Sequence, residues 1–237
     1  MLPPPDVLPR ATAPRVARRL VIAALLSAGV IASGCERVRA AVGAAPALHG
    51  AAYATPEAAP PLRLPRASGI AGAAADTFDL ARDATGAERA ALVFFGYTHC
   101  PDVCPTTLAD WTRVKRALAA RDAADTARVR FVFVTVDPER DSAAAVARYV
   151  AQFDPGFVGL AGSRAAVDAA QAAWHVSSFR EPAPNGTSNG ASAADYTVSH
   201  PAQVFLVGPD GRLRTIYPLG APAADVAADL RQVLRGG

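Results

Sequence analysis

The sequence predicts an α/β domain with a mixed sheet whose core is parallel, and three observations carry that prediction. Ala91 to Tyr97 and Val129 to Val136 are compact apolar runs rich in β-branched and aromatic residues, as expected of strands buried on both faces. A segment with apolar residues at helical spacing follows each of them. Near the C-terminus, Gly208-Pro209-Asp210-Gly211 joins two further strand-like runs, a strong signal for an antiparallel hairpin.

The elements follow in order. Residues 1–34 read as an export leader: Arg10, Arg15, Arg18 and Arg19 precede an apolar run from Leu20 to Ile31, which ends at Ala32-Ser33-Gly34-Cys35. That run is too short for a standard membrane-spanning helix. Small residues before a cysteine resemble the lipobox of bacterial lipoproteins, so Cys35 is the expected lipidation site, although alanine stands where leucine is usual. An uncleaved anchor or a plain signal peptide is the alternative, and Arg18-Arg19 leaves twin-arginine as well as Sec export open. Residues 35–75, rich in Ala, Pro and Gly without periodicity, read as a flexible membrane tether.

The domain itself is expected over 76–237. Thr77 to Leu80 reads as a short strand and Arg82 to Glu88 as a turn, ahead of the first buried strand. Pro105 to Ala120 has helical spacing, with Leu108, Trp111, Val114 and Leu118 on one face and Thr106 or Thr107 available to cap it. After the second buried strand come a helix from Ser142 to Phe153, a short strand from Phe157 to Leu160 and a helix from Ser163 to Trp174. The Pro-, Asn-, Gly- and Ser-rich stretch from Glu181 to Asp195 reads as an exposed loop. Strands at Gln203 to Val207 and Arg212 to Tyr217 form the hairpin, and a helix from Ala221 to Leu234 ends the chain. Strand, helix, strand, helix, hairpin and terminal helix make a thioredoxin-like arrangement.

Charge and cysteine usage narrow the function. The formal net charge is +3, and the leader carries all of it; the rest of the chain has 20 basic and 20 acidic residues and no basic run. Nucleic acid is therefore not an expected partner. Three cysteines in an oxidising compartment would leave one unpaired, and lipidation of Cys35 would remove the odd one. Cys100 and Cys104 then supply whatever thiol chemistry the domain performs.

Those two cysteines lie between a buried strand and the start of a helix, in Cys100-Pro101-Asp102-Val103-Cys104. A thiol there meets unpaired backbone N–H groups and the positive end of the helix dipole, which favour thiolate. Thiolate is both the nucleophile of disulfide exchange and the ligand for soft metals. Three intervening residues, rather than the two of rapid exchange sites, widen the loop enough for both sulfurs to face one ion. Paired thiolates suit Cu(I), and an added imidazole accommodates Cu(II) as well. The four-ligand set of a zinc knuckle is missing, and no methionine follows Met1, which excludes a thioether-based copper carrier.

Gly96-Tyr97-Thr98-His99-Cys100-Pro101-Asp102-Val103-Cys104-Pro105 resembles the signature of the Sco/SenC family almost residue for residue. So do Val136-Asp137-Pro138-Glu139-Arg140-Asp141 and Tyr196-Thr197-Val198-Ser199-His200, the latter ahead of Phe205-Leu206-Val207-Gly208-Pro209-Asp210-Gly211. Three motifs in order over Phe78 to Leu234 make chance similarity improbable. The resemblance implies Cys100, Cys104 and His200 as copper ligands and a role in building the binuclear copper centre of cytochrome c oxidase. Its implied partners are the copper-bearing oxidase subunit and other copper carriers. Ser199 departs from the family, where aspartate often precedes the histidine and can orient it. In a thioredoxin-like fold the segment before the hairpin lies near the helix N-terminus, so His200 can reach the cysteines, and a mobile loop ahead of it would let the imidazole swing.

Asp102 and Asp137 are candidate outer-shell partners or simply turn residues. His99 neighbours Cys100 but is expected to point away; His49 and His175 read as structural or exposed. A copper chaperone is the leading reading. Alternatives are a thiol-disulfide oxidoreductase that uses Cys100 and Cys104 as a redox-active pair to keep the oxidase cysteines reduced, or a copper or redox sensor. No Ser-His-Asp set, phosphate loop or cofactor fingerprint points to a conventional enzyme.

Overall fold

The computed structural model describes residues 47–68, 76–85, 89–182 and 196–236. The leader, Cys35, residues 36–46 and 69–75 of the expected tether, 86–88 of the expected turn and 183–195 of the expected loop lie outside them. In chain order the elements are β1 (Ala51–Ala52), β2 (Arg63–Pro65), β3 (Thr77–Asp79), α1 (Leu80–Asp83), β4 (Ala90–Gly96), α2 (Val103–Ala119), α3 (Ala123–Ala127) and β5 (Val129–Thr135). There follow α4 (Ala143–Ala151), β6 (Val158–Leu160), α5 (Arg164–Ala173), β7 (Phe179–Pro182), β8 (Tyr196–Ser199), β9 (Val204–Val207), β10 (Leu213–Tyr217) and α6 (Ala223–Leu234).

Six strands form one sheet in the order β1-β10-β9-β4-β5-β6. β4, β5 and β6 run parallel, while β9 is antiparallel to β4 and β10 to β9. This is the mixed, thioredoxin-like sheet the sequence predicts. All seven residues of β4 are buried because the strand is central and covered on both faces. On one face Phe94, Phe131 and Phe133 meet Trp111 of α2 and Tyr149 of α4; on the other Phe95 and Phe205 meet Trp174. Each fully buried Phe of β4 and β5 contributes roughly 1.5–3 kcal/mol of transfer free energy. The β9–β10 turn requires glycine at Gly211, whose φ is 73° and whose N–H donates to the Gly208 carbonyl at 2.9 Å.

Several expectations need correction. The tether over 35–75 does not extend through 47–68, which straps the sheet from one edge to the other. β1 pairs with β10, Ala59 N–H donates to the Gly211 carbonyl, and at the opposite edge Ala67 N–H donates to the Gly159 carbonyl, both at 2.8 Å. Leu62 and Leu64 are buried between these points. The physical reason is that both sheet edges carry unpaired backbone groups, and the strap satisfies them. The turn expected at Arg82 begins as α1, whose first amides are capped by the Asp79 carboxylate, with Ala81 N–H at 3.0 Å. α3 was not expected; the Asp122 carboxylate starts it by accepting from Ala124 N–H at 2.9 Å. Neither Thr106 nor Thr107 caps α2: Thr107 Oγ1 donates instead to the Val103 carbonyl at 2.9 Å.

Glu181 and Pro182, expected as the start of the loop, belong to β7. β7 pairs antiparallel with β8, matching Phe179 to Ser199 and Pro182 to Tyr196. The residues leading to His200 are therefore one strand of a hydrogen-bonded ribbon.

Candidate metal centre

The cysteine half of the site is built where β4 hands over to α2. A short turn, with Cys100 N–H donating to the Tyr97 carbonyl at 3.3 Å, sets Cys100 just ahead of the helix, while Cys104 falls in its first turn. Cys104 N–H, one of the donors a helix leaves unpaired, points at Cys100 Sγ at 3.4 Å. Cys104 is fully buried and Cys100 half-buried, and both are free thiols. A hydrogen bond from the Cys104 thiol, with help from the His200 ring and the Asp102 and Cys104 amides, holds the Cys100 pKa well below the ordinary thiol range despite burial. The same pairing and its own burial push the Cys104 pKa up. Of the two, Cys100 is the side that favours the thiolate and Cys104 the side that favours the thiol. Binding a metal between them requires release of the Cys104 proton. Gly96 is what lets Cys104 sit there: a Cβ at that position would lie 2.8 Å from Cys104 Sγ.

The imidazole half comes from the far side of the sequence. His200 leaves the end of β8 with Nε2 3.7 Å from Cys104 Sγ. Its Nδ1 lies 3.1 Å from the Pro201 carbonyl, and with the proton on Nδ1 that bond would leave Nε2 its lone pair for a metal. The ring is wedged between the edges of Phe94 and Tyr97, at centroid distances of 5.9 and 5.8 Å. One ligand atom each from Cys100, Cys104 and His200 lies within 4.8 Å of the others, so the group can hold a single metal ion. Among the described residues it is the one cluster of this kind. The carbonyl of Pro201 and the two aromatic walls orient the imidazole, a task the departure at Ser199 leaves without a carboxylate.

Carboxylates stand behind the group rather than in it. Asp102 is exposed and its side chain makes no capping bond, so its contribution runs through its backbone amide. Asp137 is buried but meets no ligand atom. Its oxygens take Arg140 Nε at 2.6 Å and the Tyr196 hydroxyl at 2.7 Å, which fastens the start of β8 to the turn after β5. His99 stays outside the group: its Nδ1 lies 3.1 Å from Thr98 Oγ1, and the ring is about half exposed. His175 is an exposed residue at φ 53° closing α5, and His49 pairs with the buried Asp229 at 2.6 Å, far from the thiols in the fold's strap.

Sequence reasoning missed three contributors. Phe94 and Tyr97 wall the imidazole, but in the sequence they look like ordinary members of a buried strand. Asp141, 1% exposed, accepts from Thr98 N–H at 3.0 Å, Thr98 Oγ1 at 2.6 Å and Thr135 Oγ1 at 2.7 Å. Its position at the end of a matched motif was the available signal.

The family model described as SCO1/SenC matches residues 76–235. Mouse (Mus musculus) "Protein SCO2 homolog, mitochondrial" is 38% identical over 141 residues, covering 60% of this chain and 52% of that protein. The chain spans about half the length of such curated relatives. Among solved structures, Bradyrhizobium japonicum ScoI with copper bound is 33% identical with a TM-score of 0.60, covering 75% of this chain and 99% of that one. Apo Sco1 from Thermus thermophilus is 32% identical with a TM-score of 0.62, at 80% and 98% coverage.

Proposed function

This chain belongs to the SCO1/SenC family, and from that premise we propose that it is a copper metallochaperone. Copper is its cargo: Cys100, Cys104 and His200 capture the ion and pass it to the copper-bearing subunit of cytochrome c oxidase as the binuclear centre is assembled. In this reading it works on the periplasmic side of a bacterial membrane, tethered by a lipid on Cys35.

The observation that carries this reading is the convergence of two sulfurs and one imidazole within 4.8 Å. Two soft thiolates retain Cu(I), and the borderline imidazole extends the set to Cu(II). A group of three leaves a coordination position for an incoming ligand. A partner's sulfur or imidazole can bond to the ion before the ligands here let go, so the metal is never free. Cys100 and His200 are the half-buried members through which that exchange proceeds, while Cys104 stays deep.

Anaerobic Cu(I) titration of the wild type and Cys100→Ser tests the assignment. The wild type is expected to bind one ion tightly and the variant to lose it; equal binding by both would remove the copper site from this position.

A dithiol reductase serving the oxidase cysteines is a second reading, favoured by the low pKa of Cys100 beside a free Cys104. It needs the thiols but not the imidazole. His200→Ala separates the two, since copper retention should fall while disulfide exchange continues.

A further inference from the structure

A carboxylate as deeply buried as Asp141 is costly unless donors satisfy it. Its donors come from two places: the Thr98 amide and hydroxyl belong to the loop that leads to Cys100, from which His99 Nδ1 also lies 3.6 Å from Oδ1, and the Thr135 hydroxyl belongs to the end of β5. Asp141 is itself fixed, because its N–H donates to the Asp137 carbonyl at 2.9 Å and Thr135 Oγ1 accepts from Asp137 N–H at 3.0 Å. The loop is thereby tied to the turn after β5 two residues before Cys100. Cys104 needs no such tie, since α2 and Gly96 already set it. Cys100, which precedes the helix, is held by this short loop and by the Cys104 N–H on its sulfur.

We propose that Asp141 is a positioning residue of the metal centre: through Thr98 it holds Cys100 Sγ at the separation from Cys104 Sγ and the His200 ring that one ion requires. The proposal rests on the copper reading and adds a residue that touches neither the ion nor its ligands. A carboxylate that merely supports the fold would lower stability when lost but leave the site of every folded molecule unchanged. One that positions Cys100 alters the site in molecules that remain folded.

Thr98→Val removes the hydroxyl at nearly constant shape and Thr98→Ser restores it; Asp141→Asn keeps the shape of the acid but offers the three donors one acceptor fewer. Each full-length variant is assayed for Cu(I) affinity by anaerobic chelator competition, for the sulfur-to-Cu(II) charge-transfer spectrum, for the dithiol–disulfide equilibrium against glutathione, and for metal-free Tm. Thr98→Val and Asp141→Asn are expected to weaken Cu(I) binding about tenfold, the lower end of what loss of an outer partner costs, and to shift the charge-transfer band, while Thr98→Ser matches the wild type. If both bind with wild-type affinity and spectrum while Tm falls, Asp141 supports the fold alone and the proposal is overturned. If the wild type itself binds no copper, the copper reading is what fails. The glutathione equilibrium then decides the proposal: a severalfold shift in Thr98→Val but not in Thr98→Ser upholds it, and no shift in either ends it.

Discussion

The two halves of the metal centre are held by different means. The sulfurs sit on the junction of a central strand and a helix, with Cys104 fully buried and the Cys100 loop tied to Asp141. The imidazole hangs at the end of β8 in a two-stranded ribbon, steadied by two aromatic edges and one carbonyl bond. The sulfur half is framed by elements that cannot shift without disturbing the core, whereas the imidazole can turn aside at the cost of weak ring contacts and one carbonyl bond. The difference teaches how one site both captures and releases: the dithiol provides the grip, and the histidine is the arm that yields to an incoming ligand.

Cys104→Ser attacks the rigid half and carries the largest expected effect, loss of Cu(I) binding in an anaerobic titration. If binding survives, the dithiol is not the grip. His200→Ala removes the yielding arm. It is expected to abolish the sulfur-to-Cu(II) absorption and speed copper transfer to a chelator in stopped flow, while disulfide exchange persists at a rate changed by the loss of the imidazole's part in lowering the Cys100 pKa; complete loss of thiol exchange would erase the contrast between the halves.

Gly96→Ala is a smaller, steric probe of the rigid half. A methyl 2.8 Å from Cys104 Sγ and 2.9 Å from Phe133 forces a shift, for which overpacking costs of about 1–3 kcal/mol are typical. Both a lower Tm and weaker copper retention should follow. A change in Tm alone would mean that Cys104 relaxes freely.

The strap provides the smallest effect and a control outside both halves. The hydrogen bond that His49 Nδ1 donates to the Asp229 carboxylate, reinforced by its charge, raises the pKa of His49 above 6.5. A group raised on folding stabilises fully below its unfolded value and loses that contribution as pH rises through its folded value. The Tm gap between the wild type and His49→Gln should therefore be widest below about pH 6.5 and narrow above it, with copper affinity unaffected. A gap independent of pH would mean that the charge on His49 does not hold the strap.

Much of this was legible in the sequence, and the exceptions share a cause. β4, β5, the β9–β10 hairpin and α2 declare themselves by apolar runs, a Gly-Pro-Asp-Gly turn and Leu108/Trp111/Val114/Leu118 spacing, all local signals. Ala51–Ala52 and Arg63–Pro65 are too short for any period; the first is a strand because β10 offers it an edge, the second because it pairs with β3. Phe179–Pro182 was hidden by a prolyl end that merges with the loop composition after it. At the site, the spacing of Cys100 and Cys104 pointed to shared chemistry, but His200 entered through family resemblance, 96 residues downstream of Cys104. Phe94, Tyr97 and Asp141 act across the sheet, where sequence order carries no information on contact.

X-ray absorption at the copper edge of the Cu(I)-loaded protein, compared with His200→Ala, tests the convergence of the three side chains most directly. The expected coordination is two sulfurs and one imidazole nitrogen per copper in the wild type, with the imidazole scattering gone in the variant. A spectrum of sulfur alone in the wild type, or one that His200→Ala leaves unchanged, would contradict the shared site.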